Sequence, residues 1–244
     1  AMIKLLLMLA KFAKFGPALK SAAFMLLSVG AYALLFGWRY AVGFVLLMLV
    51  HEFGHYYAAR RLGLNVGLPT FIPFVGAWIE LKDQPLSVAQ EAQIAFAGPF
   101  AGTVAAVAVL ALALSEHSAL LMALAYVGFF LNLFNLIPLT PFDGGRIVAI
   151  LSPKVWFLGV PVLVGAFIFS PSPMLLIILL LLAPTIYAAL KAAWQGLTPE
   201  HNPRYYMVPL AARVRYGSYY VLLLGFLCIM TYQTHLQVEA LRNL

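Results

Sequence analysis

Residues 50–57, Val-His-Glu-Phe-Gly-His-Tyr-Tyr, close an apolar run that begins near residue 41. The length and composition of this run predict a helix. On a helix, His51 and His55 lie one turn apart on the same face, so both imidazoles can reach one metal ion. Glu52 lies between them and can act as general base on a water molecule at that metal. The stretch therefore predicts half of a metal site.

The apolar setting of this motif strengthens the metal hypothesis. An ionised group within the hydrocarbon of a membrane costs about 2.5–3.5 kcal/mol or more, unless a partner or a cavity relieves it. A zinc ion would supply that partner for His51, Glu52 and His55. The alternative is a chance H-E-x-x-H pattern on an ordinary helix, and the setting argues against it.

The composition predicts an integral membrane protein. The chain has 244 residues, of which 64% are hydrophobic and 9% are charged, and its net charge is +7. Soluble domains carry roughly 25% charged residues. The cations cluster at the ends of apolar runs, which indicates membrane orientation rather than a nucleic-acid surface. The single cysteine, Cys228, excludes an internal disulfide and a thiolate metal cluster. No cleavable signal peptide is expected, because lysines interrupt the first apolar stretch.

The hydropathy pattern predicts an α-helical polytopic membrane protein with about six to seven transmembrane helices and a short membrane-embedded β-like segment. Residues 1–20 are expected to form an interfacial helix, residues 21–190 the transmembrane core, and residues 191–244 a juxtamembrane segment with a further transmembrane or interfacial helix. The predicted spans are 21–38, 41–59, 92–114, 119–139, 155–170, 173–190 and 217–234, of which the last is brief enough to lie in the interface.

Lysine and arginine residues concentrate in alternate loops of this topology. They precede the first predicted span and follow the second, fourth and sixth, whereas the opposite loops contain Arg39 alone. By the positive-inside rule, we expect the N-terminus and the 51–55 motif on the cytoplasmic side.

Residues 63–81 are not predicted to be helical, because prolines and glycines interrupt their apolar β-formers. A β-like chain at membrane depth is tolerated only where it is buried in protein or lines a cavity. An exposed strand edge there could pair with an extended substrate, or the segment could be a re-entrant loop that plugs the bundle. The sequence favours neither alternative. The candidate substrate-binding residues are Phe71, Pro73, Phe74, Gly76, Trp78 and Ile79.

The second half of the metal site is expected around Asp143. Only two of the eight acidic residues fall within apolar stretches, Glu52 and Asp143. Prolines and glycines break the chain on both sides of Asp143, and broken helices at membrane depth usually line a binding cavity. Asp143 can supply a third protein ligand and leave the fourth tetrahedral position for water. The alternative is that Asp143 caps the following helix or pairs with Arg146.

Together these motifs resemble the site-2 protease family of intramembrane zinc metalloproteases. They are H-E-x-x-H at 51–55, N-x-x-P-x-x-P-x-D-G at 135–144 and A-G-P at 97–99, and the resemblance covers roughly residues 41–150. It implies one zinc ion per chain with His51, His55 and Asp143 as ligands, and Glu52 as catalytic base. Asn135 matches a family asparagine near the site, a candidate for holding the substrate backbone or the oxyanion.

The resemblance also implies an activity and a class of partner. The chain would be an intramembrane zinc metalloendopeptidase that cleaves in or near a transmembrane segment of a membrane-anchored substrate. That reaction would serve regulated intramembrane proteolysis or the clearance of signal-peptide remnants. The partners would be single-span or tail-anchored membrane proteins and the lipid bilayer of a prokaryotic inner membrane, without nucleic acid. The loops are too short for a PDZ domain or a CBS pair, so the minimal core type is expected.

One alternative concerns the function of the metal site, and another concerns the tyrosines near the C-terminal helix. A membrane metal transporter or sensor could use the same ligands, but it would need further polar residues through several spans. The remaining histidines, His117, His201 and His235, fall outside the predicted spans, which disfavours a transporter or sensor. The tyrosines of residues 205–220 suggest an interfacial aromatic belt, and a gate is the alternative.

Overall fold

The computed structural model describes residues 16–72, 76–169, 173–196 and 203–243. Within those ranges the chain is mostly helical, with eight α-helices and two short strands. In chain order the elements are α1 (Pro17–Phe36), α2 (Trp38–Arg61), β1 (Thr70–Ile72), β2 (Gly76–Trp78), α3 (Val88–Ser115), α4 (Ala119–Asn135), α5 (Asp143–Val148), α6 (Gly159–Phe169), α7 (Pro173–Gln195) and α8 (Leu210–Arg242). Two 3₁₀ helices, Pro153–Leu158 and Pro203–Tyr206, precede α6 and α8.

The boundaries of the central helices follow from local chemistry. Gly37 separates α1 from α2 with a φ of 82°, a conformation that an L-residue with a side chain rarely adopts. Ser87 and Ser118 precede α3 and α4, and each hydroxyl accepts a hydrogen bond from a first-turn backbone amide. The helix α4 ends at Asn135, where Pro138 and Pro141, which lack amide hydrogens, follow shortly afterwards.

Small residues bring α2, α3 and α4 into close contact. A Cβ atom on Gly54 of α2 would lie 2.3 Å from the backbone oxygen of Ala97 in α3, so only glycine fits there. Gly43 likewise faces the side chain of Leu124 in α4. Such small-residue contacts are the usual way in which helices pack in a membrane, where apolar burial alone drives little association.

The largest group of buried apolar side chains joins α3, α4, α5 and α8. Phe129, Leu136, Ile147 and Leu227 are completely buried within it. This core therefore encloses the break between α4 and α5, the segment in which the predicted second half of the metal site lies.

The strands β1 and β2 form an antiparallel hairpin beside α1 and α2. Their register pairs Thr70 with Trp78 and Ile72 with Gly76, and an isolated bridge pairs Val66 with Leu81. Between the Thr70–Trp78 pair and the Val66–Leu81 bridge, three residues before β1 lie opposite two residues after β2, so the ladder is interrupted there. The Ser21 hydroxyl of α1 donates to the carbonyl of Pro69, which joins the start of the hairpin to the bundle.

The structure corrects several predicted boundaries. Within the described residues, four helices are long and apolar enough to cross a membrane: Leu19–Phe36 within α1, α2, α3 and α8. Three further apolar helical stretches found in the same ranges are shorter: Ala119–Asn135, Pro153–Ile168 and Leu179–Gln195. The predicted count of six to seven transmembrane helices is therefore not confirmed. The span predicted at 119–139 ends at Asn135, because the proline-containing loop interrupts it. The span predicted at 155–170 is split between a 3₁₀ helix and the 11-residue α6.

The C-terminal helix is longer than the sequence suggested. The brief apolar centre at 217–234 lies within the 33-residue α8. The first residues of the predicted interfacial helix, 1–15, lie outside the described residues, and α1 begins at Pro17. Membrane depth, including that of the hairpin, stays a prediction.

Candidate metal centre

The three predicted ligands converge on one buried point. His51 and His55 lie one turn apart on α2, and Asp143 is the first residue of α5. The Nε2 atoms of the two histidines are 3.1 Å apart, and each is 3.2 Å from Asp143 Oδ2. The three residues are between 3% and 7% exposed. They form a group that could hold a metal ion.

The outer nitrogen of each histidine has its own partner. His51 Nδ1 lies 2.8 Å from Asn132 Oδ1, and His55 Nδ1 lies 2.8 Å from the carbonyl oxygen of Ile94. Because both oxygens can only accept, each Nδ1 carries the proton and donates it. The Asn132 amide is oriented by its own Nδ2, which donates to the Gly128 carbonyl at 2.7 Å. In the neutral imidazoles, both Nε2 lone pairs therefore face Asp143.

This donor set fits a metal ion. Two lone pairs and a carboxylate oxygen within 3.2 Å of one another repel unless a proton or a metal cation lies among them. Zinc binds histidine nitrogen at about 2.0–2.1 Å in tetrahedral geometry, which places ligand atoms about 3.3 Å apart. The observed separations of 3.1–3.2 Å match that value closely. Nδ1 donation to a carbonyl or amide oxygen is the usual outer support of a metal-binding histidine.

Two glycines of α3 make room for this arrangement. A Cβ atom on Gly98 would lie 2.2 Å from His55 Nε2, and one on Gly102 would lie 2.3 Å from Asn132 Oδ1. Any larger residue at either position would displace a ligand or its support. The glycine of the A-G-P pattern at 97–99 thus has a steric reason: α3 contacts His55 at a position that has no room for a side chain.

The position of Asp143 is set by the loop 136–142 and by two further glycines. A Cβ atom on Gly144 would lie 2.1 Å from the Leu136 oxygen, and one on Gly145 would lie 2.3 Å from the carbonyl carbon of Leu139. The indole of Trp156 donates to the Gly145 carbonyl at 2.8 Å, and the hydroxyl of Tyr220 on α8 donates to Leu136 at 2.8 Å. The break therefore packs tightly, which fixes where the carboxylate points.

Asp143 does not cap α5, but it does lie near Arg146. Phe142, not Asp143, occupies the N-cap position of α5. Arg146 does lie near Asp143, but against its other oxygen: the guanidinium NH1 is 3.9 Å from Oδ1. Pairing with Arg146 and facing the histidines are thus compatible roles for one carboxylate.

The two predicted catalytic residues differ in placement. Glu52 is 7% exposed and directly follows His51 on α2. Asn135 is half-buried at the end of α4, and its Nδ2 donates to the carbonyl of Leu131 at 3.0 Å. The asparagine that touches a ligand is Asn132, which the sequence analysis did not single out. Its signal was present in the sequence: an amide within an otherwise apolar run, one turn before Asn135.

The candidate substrate-binding residues occupy different environments in the hairpin. Phe71 is completely buried among side chains of α1 and α2, so its ring is an anchor and only its backbone could face a substrate. Gly76 and Trp78 lie in β2, and Ile79 is half-buried against α2 and α3. Pro73 and Phe74 lie outside the described residues.

The fold and this site define a class: a helical bundle with apolar, membrane-length helices and a buried H-E-x-x-H metal centre completed by an aspartate. The sequence model of peptidase family M50 matches residues 39–119 and 112–157. The resemblance to the site-2 protease family is therefore confirmed by a match to peptidase family M50 over residues 39–157, which contain every predicted metal ligand.

Two curated proteins and one solved structure are similar to this chain. The chain is 33% identical to "Zinc metalloprotease MJ0392" of Methanocaldococcus jannaschii over 130 residues, covering 49% of this chain and 37% of that protein. It is 32% identical to "Putative zinc metalloprotease Rip3" of Mycobacterium tuberculosis over 133 residues, covering 50% and 34%. The chain thus spans about a third of the length of these curated relatives. The solved structure "Site-2 Protease from Methanocaldococcus jannaschii" has a TM-score of 0.44 and 22% identity, covering 73% of this chain and 88% of that one.

Proposed function

We propose that this chain is a zinc metallopeptidase of membranes, which hydrolyses a peptide bond in or near a transmembrane segment of a membrane-anchored substrate. The observation that carries the proposal is the convergence of His51, His55 and Asp143 at 3.1–3.2 Å, with Glu52 beside them. Three protein ligands leave one tetrahedral position open, as catalytic zinc sites require and structural sites do not.

In the proposed mechanism, three residues hold the zinc ion and one residue transfers a proton. His51 and His55 would hold zinc through Nε2, and Asp143 through Oδ2. When bound, zinc supplies Lewis acidity, which makes a water molecule more acidic and polarises a carbonyl group. Glu52 takes a proton from the attacking water at its carboxylate and passes it to the amine that leaves. Asn132 and the Ile94 carbonyl keep the imidazoles oriented throughout, because each holds an Nδ1 proton.

The substrate must present an extended backbone at this site, because a helical peptide bond is sterically enclosed. The hairpin of β1 and β2 is our candidate for holding it by strand addition, in which backbone hydrogen bonds give affinity without demanding one sequence. The hairpin begins nine residues after the end of α2, on which Glu52 lies. Asn135 is the candidate for holding the substrate backbone or the oxyanion.

The biological setting is part of the same proposal. Single-span or tail-anchored membrane proteins would be the substrates, either in regulated intramembrane proteolysis or in the clearance of signal-peptide remnants. The bundle would lie in a prokaryotic inner membrane, with the N-terminus and the metal centre towards the cytoplasm. The distribution of lysine and arginine supports that orientation.

Cleavage of single-span membrane proteins by the purified chain, with and without a chelator, tests the proposal. Chelator-sensitive cleavage that returns on adding zinc is expected. A chain that binds zinc but cleaves none of a panel of such substrates, while moving the ion across vesicle membranes, would support a metal transporter instead. In the described ranges, His51, His55 and Asp143 form the one group of ligands found, which favours the peptidase.

A further inference from the structure

The two oxygens of Asp143 face different partners. Oδ2 lies 3.2 Å from both histidine Nε2 atoms, whereas Oδ1 lies 3.9 Å from NH1 of Arg146. At 3.9 Å the guanidinium attracts Oδ1 by charge rather than by a hydrogen bond. Arg146 lies on α5, one turn after Asp143, so the short helix itself sets this spacing.

Arg146 is held in place from its far side. Its Nε donates to Glu91 Oε1 at 3.2 Å, and Glu91 Oε2 accepts a hydrogen bond from the hydroxyl of Tyr205. Glu91 lies in the first turn of α3, where the helix dipole favours a carboxylate. Tyr205 is 4% exposed in the 3₁₀ helix before α8. Three separate segments therefore fix the guanidinium beside Oδ1.

A carboxylate can offer one oxygen or chelate with both. Chelation would fill or crowd the position that a peptidase must leave open. We propose that Arg146 is a positioning residue which retains Oδ1, so that Asp143 offers only Oδ2 to the metal and one coordination position stays open to ligands. The inference rests on the metal centre of the proposed function and assigns a role to Arg146, Glu91 and Tyr205 within it.

A positioning role and a merely structural role for Arg146 predict different changes in metal affinity when the residue is replaced. If Arg146 only stabilised the fold, its loss would weaken metal binding and lower the melting temperature. If it retains Oδ1, its loss frees a second oxygen and removes a nearby positive charge. The metal should then bind as tightly as before or more tightly, while an added ligand binds less well at the open position.

The experiment uses the full chain in detergent, loaded with cobalt(II) as a visible-light probe of the site. Imidazole is titrated as the added ligand; it is neutral, so the loss of the Arg146 charge does not itself change its attraction. Cobalt affinity, the imidazole dissociation constant from the visible spectrum, and thermal stability are measured. The variants are Arg146→Gln, Arg146→Lys, Glu91→Gln and the double variant Glu91→Gln/Arg146→Gln, which leaves no unpaired charge.

We expect Arg146→Gln and the double variant to weaken imidazole binding about tenfold or more, the size typical of a lost outer-shell partner. Cobalt affinity should stay within about threefold of wild type or rise, because no ligand is lost and a positive charge that repels the cation is removed. Arg146→Lys, which keeps a positive charge near Oδ1, should restore most of the imidazole affinity. Glu91→Gln should give an intermediate value, since the guanidinium is then less restrained.

Other results would overturn the inference. Unchanged imidazole binding in Arg146→Gln and in Glu91→Gln would mean that Oδ1 does not compete for the open position. Weaker cobalt binding together with a lower melting temperature would assign Arg146 a structural role. If Arg146→Gln did not fold, equal imidazole binding in Arg146→Lys, Glu91→Gln and wild type would still contradict the idea. A wild-type chain that takes up no cobalt or zinc would overturn the metal centre as well.

Discussion

The metal centre and the β1–β2 hairpin lie close in sequence, but they are held in different ways. In the metal centre, each histidine has a separate support, Asn132 or the Ile94 carbonyl, and glycines of α3 leave room for nothing larger. The hairpin is held by short backbone pairing and by the buried ring of Phe71. The difference fits the roles we propose: a reacting site needs fixed atoms, whereas a site for different peptides needs backbone groups that any sequence can pair with.

Removing a ligand should break the metal centre and leave the hairpin unaffected. His55→Ala takes away one of three ligands, and we expect zinc content near zero and no detectable peptidase activity. His117→Asn is the matched control, because His117 is exposed, has a φ of 50° that asparagine tolerates, and lies far along the chain from the site. Elemental analysis of the purified proteins measures the result. Equal zinc in wild type and His55→Ala would rule out the ligand assignment.

Removing the base should separate metal binding from chemistry. Glu52→Gln keeps the shape of the side chain but cannot accept a proton, so turnover should fall by about 10²–10⁴-fold while zinc content is unchanged. Glu116→Gln, at an exposed position after α3, is the control for loss of one carboxylate. Zinc analysis and substrate cleavage are measured on the same preparations. Cleavage by Glu52→Gln within a few-fold of wild type would remove Glu52 from its proposed role.

Two asparagines one turn apart distinguish support of the metal from contact with substrate. Asn132→Ala removes the acceptor of the His51 Nδ1 proton, and we expect about 10–100-fold weaker zinc binding. Asn135→Ala should leave zinc affinity at the wild-type value and lower turnover, because its side chain bonds only to Leu131 among the described contacts. Chelator competition measures the affinities. The same loss of zinc in both variants would contradict the distinction.

The hairpin should be breakable without loss of the metal. Ile79 follows β2 in the interrupted part of the ladder, and Ile79→Pro removes one backbone donor. The loss of one substrate hydrogen bond should lower turnover about tenfold, with zinc content and thermal stability near wild type. Ile79→Ala shortens the side chain but keeps the amide, so it separates packing from pairing.

Cysteine crosslinks give an independent measurement of the same contact. Pairs between the hairpin and the cleavage region of a substrate should form if the strand-addition proposal holds. Failure of these pairs, combined with success of pairs to another loop, would show that the substrate binds elsewhere.

Some features were predictable from the sequence because they depend on local spacing. His51 and His55 are four residues apart, and any α-helix places such residues on one face. Asp143 was predictable for a different reason: it is one of two acidic residues in apolar stretches, and an unpaired carboxylate there is costly. The apolar composition likewise predicted a helical membrane bundle.

Other features depend on how distant segments pack. Asn132 could not be chosen over Asn135 from spacing, because which amide reaches His51 is set by the crossing of α2 and α4. The steric role of Gly98 and Gly102 is visible only once α3 lies against the metal centre. The predicted end of the fourth span was wrong because hydropathy reports composition and not where the proline-containing loop after Asn135 ends a helix.

The sequence by itself determined which side chains are available for the proposed chemistry: two histidines and two carboxylates in apolar surroundings, where a bound metal would offset their cost. Only the tertiary structure decided how these side chains are oriented and which partners they contact. It places an acceptor beside each histidine Nδ1 and gives the two Asp143 oxygens different partners. It also connects Tyr205 through Glu91 to Arg146, and the first two of these residues are 114 positions apart. Hydrogen bonds and close packing depend on ångström-scale distances between segments, and no local pattern of residues specifies those distances.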